Sequence, residues 1–490
     1  MTYDTLIRQA LIIDGSNTEG YVADVGLRDG RIETIGDLST AAAVHEIDAT
    51  GRVLAPGFID VHTHDDTVVI RQPQMLPKLS QGVTTVIVGS CGISASPVSL
   101  RSDPPDPMNL LGSAAAFVYP RFSDYRSAVE SAHPAVNVAA LIGHTALRSN
   151  HMDDLHRTAT AAEIAAMRVQ LHESLEAGAL GLSTGLAYAS AFNAETDEVL
   201  QLSEELTAFG AVYTTHLRSE FEPVLEAMDE AFLIGRHAQV PVIISHLKCA
   251  GAGNWGRSPQ LLAALESAAK THPVGCDCYP YAASSSTLDL KQVTDAFRIT
   301  ITWSTPHPEV GGRDLQDIAG EWDVSLMDAA RRLQPAGAVY YGMDEADVRR
   351  ILAHPLSMVG SDGLPEDPFP HPRLWGAFPR VLGHFSRDVG LFPLHTAVHK
   401  MTGLSAARFG LSERGEIREG HWADLVLFDP LRVRDVADFK APQCAAEGIE
   451  SVWVNGVQSY SNGQANTQRA GRFLARSGDL RQGFKWESGT

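Results

Sequence analysis

The chain has 490 residues, 44% of them apolar and 20% charged, with a formal net charge of −20. These are the proportions of a globular protein large enough for a substantial core and more than one domain. The acidity argues against nucleic acid or an anionic membrane surface as a partner.

Five cysteines, Cys91, Cys249, Cys276, Cys278 and Cys444, are too few for a disulfide framework. No basic stretch followed by an apolar run marks a secretory leader at the start. No run of about 18 apolar residues suggests a membrane span. A cytoplasmic protein is expected, with a polar tail after about Ser461 and no repeats; oligomeric state is not readable.

The first fifty residues alternate with period two, and "RDGR" is an Asp-Gly hairpin signal. The style returns near the C-terminus in "ADLVLFDP" and "IESVWVNGVQSY", with an Asn-Gly turn. Residues 1–55 and 416–490 are therefore expected to build one small β-sandwich domain. Between them, 56–415, strand-like runs alternate with helical stretches. The runs are "GFIDVHTH", "TTVIVGSC", "VNVAALIGH", "ALGLSTGL", "AVYTTHL", "VPVIISHLK", "PVGCDCYPY" and "LSMVGSDG". Eight β-then-α units predict a TIM-type (β/α)8 barrel. A doubly wound open sheet is the rival, weakened by the lack of a glycine-rich phosphate fingerprint after the first strand. An irregular insertion, about 285–340, falls between strands seven and eight and reads as a lid or specificity element.

Residues two apart share a strand face, so His62 and His64 point the same way at the end of strand one. In such barrels the C-terminal strand ends carry the active site. Strand two ends in Cys91, strand five in His216, strand six in His246 and strand eight in Asp362. Each alone has an ordinary packing explanation. Six ligand-type side chains at one register are a metal site, and thiolate with imidazole and carboxylate is a zinc-type set. Asp60 is expected to orient a histidine. Cys276 and Cys278 are expected to pack in the core, and His144, ending strand three, is open between a site contact and packing.

"PGFIDVHTH" resembles the first-strand motif of the amidohydrolase superfamily. "GSCGIS", "STGLAY", "SHLKCAG", "NWGRS", "DCYPYAASS", "ITWSTPHPE", "VGSDGLP" and "HPRLWGAFPRVL" narrow the resemblance to the D-aminoacylases, the N-acyl-D-amino-acid deacylases, over about residues 14–455. The resemblance implies a tight zinc on Cys91, His216 and His246, and a weaker second metal position on His62, His64 and Asp362. Many amidohydrolases bridge two metals through a carboxylated lysine at the end of strand four. Here that strand ends "GLSTGL", without lysine, and Cys91 is at hand for the role.

The implied reaction is hydrolysis of the amide of a small-molecule N-acyl-D-amino acid. Zinc would bring the pKa of water toward about 7, and Asp362 would act as general base and then as proton donor. Arg373, Lys248 and Tyr281, with Ser285 as a weaker candidate, would bind the substrate carboxylate or its surroundings. Lys291 and Arg298 could read an acidic side chain, but Asp289 beside them opposes it, which favours neutral, apolar side chains. The alternatives are an N-acyl-D-glutamate or N-acyl-D-aspartate deacylase, or another amidohydrolase such as a cyclic-imide or dipeptide hydrolase.

Overall fold

The computed structural model describes residues 2–461 and 463–484. The two ends of the chain meet in one nine-stranded sheet. The joint is the strand Val53–Pro56, antiparallel to Leu425–Phe428. Its packed face is a separate core that includes Ile7, Val25, Leu54, Leu425 and Trp453. Both turns expected from sequence carry it. Asp29 and Gly30 have φ of 50° and 79°, and Asn455 and Gly456 have φ of 50° and 79°. Two successive left-handed residues match the twist of the flanking strands.

Eight parallel strands follow in sequence order: Phe58–Asp60, Val83–Val88, Asn137–Ala140 with Ile142–Gly143, Gly181–Gly185, Val212–His216, Val242–Ile244, Val274–Cys278 and Ser357–Val359. Neighbours in space are neighbours in sequence, which removes the doubly wound alternative. The third strand breaks at Leu141, whose N–H bonds to Val88 O (2.9 Å), while Ala140 O accepts from Leu180 N (2.8 Å). Beyond the strand ends, Asp362 N donates to His62 O (2.7 Å) and His64 N to Gly363 O (3.0 Å), tying the exit of the eighth strand to that of the first. This is the TIM-barrel type.

Helices lie between the strands and bury one face each. The helix Ala161–Glu176 starts where the sequence signals it: Thr160 and Glu163 form a reciprocal capping box. Two expectations change. The insertion is not irregular: Ser284–Thr287, Ala336–Tyr340 and Ile299–Ser304 form an antiparallel sheet backed by the helices Leu315–Glu321 and Leu326–Leu333. Leu288, Ile301, Ile318, Leu333 and Tyr340 give it a core of its own. The stretch after Ser461 is also folded, as far as it is described. Leu474 N bonds to Val138 O (2.7 Å), and the Arg476 guanidinium caps the last carbonyls of two helices, at Leu175 (3.2 Å) and Phe209 (2.7 Å).

A charge cluster lies beneath the mouth of the barrel. Lys78, fully buried, places Nζ 2.7 Å from Asp60, 3.1 Å from Asp65, 2.9 Å from Thr63 and 3.0 Å from Ser361. Asp60 in turn accepts from Ser361 N (2.8 Å) and Ser361 Oγ (2.6 Å). Asp60 therefore fastens strand one to the segment after strand eight, and no histidine ring is among these contacts. Burial alone would lower the Lys78 ammonium; Asp60 and Asp65 outweigh it and hold it above its usual value.

Lys78→Met should leave two carboxylates buried and unpaired, at a cost of about 3–5 kcal/mol. Urea unfolding of the variant should show that loss, and adding Asp60→Asn should recover part of it. A midpoint equal to wild type would mean that the cluster does not hold the strands together.

Candidate metal centre

The strand ends deliver the ligands by breaking strand geometry. Cys91, His246 and Asp362 lie two or three residues beyond strands two, six and eight, with φ of 54°, 37° and 48°. Left-handed backbone at non-glycine residues costs of order 1–3 kcal/mol each and persists where the surroundings over-determine it. It turns each side chain inward after the pleat has ended. His216 is the last residue of strand five. Gly360 is needed for close approach, since a Cβ there would lie 2.5 Å from the His62 Cβ.

The six side chains converge as two overlapping groups. His62, His64, Cys91 and Asp362 bring one donor atom each within 4.8 Å of one another, and so do Cys91, His216 and His246. Cys91 belongs to both. Its Sγ lies 3.2 Å from His62 Nε2 and 3.3 Å from His246 Nε2. Asp362 Oδ1 lies 3.2 Å from His64 Nε2 and 3.5 Å from His62 Nε2. Tetrahedral zinc, with bonds of ~2.3 Å to sulfur and ~2.0–2.1 Å to nitrogen, holds ligand atoms roughly 3.3–3.6 Å apart. The donor set and its spacing fit that ion. The buried Nδ1 of His216, whose Nε2 faces Glu220, has no hydrogen-bond partner among the described residues, as an inward-facing donor would not.

The outer nitrogens of two histidines are held by carboxylates absent from the sequence expectations. Asp277, on strand seven, lies 3.2 Å from His62 Nδ1 and accepts from His246 N (3.0 Å). Glu220 Oε1 lies 2.9 Å from His246 Nδ1, and its Oε2 3.7 Å from His216 Nε2. Such partners fix ring orientation and tautomer. Glu220 follows His216 by four residues in "HLRSE", and Asp277 is the one acid in "VGCDC". Those spacings are the signals that could have found them.

Electrostatics follow from burial with opposite charge. Burial would raise the Cys91 thiol, but the His62 and His246 imidazoles hold it well below its usual value, as a thiolate. Burial would also raise Asp362; the Arg373 guanidinium and His64 keep it well below the carboxylate range. His246, lowered by burial and by Lys248, is lifted to about 9 by Cys91 and Glu220.

Arg373 is buried, with Nη1 2.8 Å from Asp362 Oδ2, Nη2 donating to Ser285 O (3.0 Å), and its guanidinium 4.5 Å from the Tyr279 ring centre. Lys248 pairs with Glu220, and its Nζ lies 5.8 Å from the centre of the same Tyr279 ring. A cavity of about 1080 Å³ opens over the ligands, and its wall includes Tyr279, Lys248 and Ser285 but not Tyr281. Tyr281 packs instead against His371 and Phe439. Strand seven ends at Cys278, and a tight turn in which Tyr281 N bonds to Tyr279 O (3.0 Å) rotates the second tyrosine away. His144 bonds to Glu198 (2.7 Å), outside both donor groups. Cys276 and Cys278 lie in the core, and burial pushes the Cys278 thiol up to about 12.

The comparisons with known proteins bear on the same architecture. The D-aminoacylase of Alcaligenes xylosoxydans xylosoxydans is 50% identical over 475 residues, 97% of this chain and 98% of that protein. The N-acyl-D-aspartate deacylase of the same organism is 49% identical over 473 residues, 96% of this chain and 95% of that protein. The crystal structure of N-acyl-D-glutamate deacylase from Bordetella bronchiseptica, complexed with zinc and a phosphonate mimic of the tetrahedral intermediate, superposes with a TM-score of 0.94 at 44% identity, covering 97% of this chain and all of that one. The family model described as the amidohydrolase family matches residues 45–460, and this chain belongs to that family.

Proposed function

We propose that the protein hydrolyses the amide bond of N-acyl-D-amino acids with zinc, releasing a carboxylate and a free D-amino acid. The observation that carries this reading is the pair of donor groups sharing one buried thiolate beneath a large cavity. Whole-length similarity to D-aminoacylase supports the choice of a linear N-acyl-D-amino acid over a cyclic imide or a dipeptide. The tight position is Cys91, His216 and His246; the weaker one is His62, His64 and Asp362, with Cys91 shared.

Zinc, when bound, supplies Lewis acidity that acidifies water and polarises an acyl carbonyl. Asp362 then does the proton work. Its carboxylate is ionised, with Oδ1 toward His62 and His64 and Oδ2 toward Arg373, so it can take the proton of the attacking water and return it to the leaving amine. Arg373 has buried guanidinium nitrogens without hydrogen-bond acceptors of good geometry. A substrate α-carboxylate would complete them bidentately. Lys248, Tyr279 and Ser285 frame the same place, and the buried Tyr279 and Ser285 hydroxyls have no partner of their own.

The insertion, about 285–340, serves as the lid: it supplies Ser285 and Lys291 to the cavity wall, and Lys291 Nζ lies 4.8 Å from the Phe192 ring of the loop after strand four. Residues 1–55 with 416–490 form the small β domain, and 56–415 the catalytic one. No helix among the described residues is long and apolar enough to cross a membrane. With five unpaired cysteines, a cytoplasmic location is the reading adopted here.

Zinc content is the direct check on the ligands. Cys91→Ala, His216→Ala and His246→Ala should each lose the tightly held ion, measured by elemental analysis after dialysis; full occupancy in all three would remove the assignment. Asp362→Asn keeps the shape without a basic oxygen, and its kcat should fall roughly 10²-fold or more while the tight zinc stays. Near-normal turnover would exclude Asp362 as the base.

Arg373→Ala should lower kcat/KM by about ten- to several-thousand-fold, the equivalent of the ~2–5 kcal/mol lost when a buried charge loses its partner. Because Arg373 also holds Asp362, the diagnostic is a substrate with its α-carboxylate blocked as the amide. Wild type should reject the amide, and Arg373→Ala should discriminate far less between acid and amide. Equal penalties on both would mean that Arg373 serves Asp362 alone.

A further inference from the structure

The cavity wall is not electrically neutral. Among the described residues its lysines and arginines are Arg218, Lys248 and Lys291. Arg218 is bound to Glu230 at 2.8 Å, and Lys248 to Glu220. Lys291 lies over Phe192. Arg298, the other cation the insertion could offer, is outside the wall, paired with Asp314 at 2.8 Å. On the acidic side the wall holds Asp106, Glu220, Glu226, Glu230, Asp289 and Asp362; Glu220, Glu230 and Asp362 are paired with Lys248, Arg218 and Arg373, whereas Asp106, Glu226 and Asp289 have no ion-pair partner among the described residues. Among the described residues, the Asp289 carboxylate accepts from Lys291 N (2.9 Å) and Gln292 Nε2 (3.5 Å). Burial and the nearby Asp289 carboxylate push Asp106 up from its usual value, against a smaller lowering by the Thr287 side chain.

The two acids stand at a defined place relative to the chemistry. Ser285 O accepts from Arg373, which holds Asp362. Thr287 is two residues further along the same strand, Ser284–Thr287, and so about 7 Å from Ser285 on the same face. The buried Ser285 hydroxyl, also on the cavity wall, has no hydrogen-bond partner among the described residues. With the α-carboxylate at Arg373, a side chain running along this strand would head past Thr287 toward the part of the wall that holds Asp106 and Asp289; the strand spacing of about 7 Å is the span of an extended lysyl or arginyl chain.

We propose that the cavity selects N-acyl-D-amino acids with a cationic side chain, read by Asp106 and Asp289. The inference rests on the deacylase reading and narrows it. A cation at this wall would relieve the repulsion between the two carboxylates, a neutral chain would leave it, and an acidic chain would add to it. The wall thus rejects acyl-D-glutamate and acyl-D-aspartate by charge, whatever their size.

The test compares N-acetyl-D-arginine, N-acetyl-D-citrulline and N-acetyl-D-glutamate with the zinc-loaded enzyme. Citrulline has the shape of arginine without the charge. Wild type should favour arginine over citrulline tenfold or more in kcat/KM, with glutamate lowest, and the ratio should shrink as salt is raised. Asp106→Asn and Asp289→Asn should each reduce the arginine-to-citrulline ratio at least threefold; the ratio is independent of a general loss of folded enzyme. Equal rates for arginine and citrulline, an unchanged ratio in both variants, or glutamate as the best substrate would overturn the proposal while leaving the deacylase intact. If none of the three is hydrolysed, and N-acetyl-D-leucine and N-acetyl-D-methionine are also inert, the deacylase reading falls and this one with it.

Discussion

A single sulfur atom constrains the centre. Cys91 lies in both donor groups, so the other five donor side chains are positioned against it. A buried thiol resists ionisation, and a cysteine shared by two metal positions would have to be a thiolate. The imidazoles of His62 and His246, at 3.2 and 3.3 Å, reverse the effect of burial. The sulfur therefore requires two histidines from different strands, and those strands must end at matching heights. A parallel barrel supplies that condition, because all its C-terminal strand ends face one side. The departure into left-handed backbone at Cys91, His246 and Asp362 supplies the rest, since extended strands alone would continue past the mouth.

Rigidity beneath the ligands comes from charges placed in pairs. Asp277 and Glu220 hold the outer nitrogens of His62 and His246, while Lys248 and Arg373 neutralise Glu220 and Asp362. One layer lower, Lys78 neutralises Asp60 and Asp65. Removing one member of such a pair leaves a buried charge, which is far more costly than losing a surface contact. The same pairing explains how strained backbone persists at the strand ends: each turn is fixed by hydrogen bonds as well as by packing. Asp362 N on His62 O, and Ser361 N on Asp60, hold the exit of the eighth strand in register with the first.

The strands, both positive-φ hairpins and the meeting of six donor-type side chains at one mouth were legible in the sequence, because each depends on local periodicity or on a residue at a strand end. What was not legible depends on contacts distant in the chain. Lys78, in "MLPKLSQG", reads as a solvated lysine, and only the meeting of strands one and eight makes it a buried partner. Asp277 reads as one acid between two cysteines until His62, 215 residues away in sequence, is brought against it. Alternation puts Tyr279 and Tyr281 on one face, but the turn around Pro280 separates them. The insertion read as irregular because its strands are short and its core is shared with helices that follow them.

The ligands and the selective wall come from different parts of the chain, and this has a consequence for substrate choice. The six candidate donors, Asp362 among them, sit at or just beyond strand ends, where a shift of one residue would move a side chain away from the shared sulfur. Asp106 belongs to the long loop after strand two, and Asp289 and Lys291 to the insertion, which has its own sheet and core. Side chains on those two segments can differ in charge without altering any distance among the six donors. Their electrostatic reach is about 8–10 Å at moderate ionic strength. The charge on these two segments can therefore change while the six donors keep their places. A relative named D-aminoacylase and one named N-acyl-D-aspartate deacylase, at 50% and 49% identity over nearly the whole chain, are compatible with that separation.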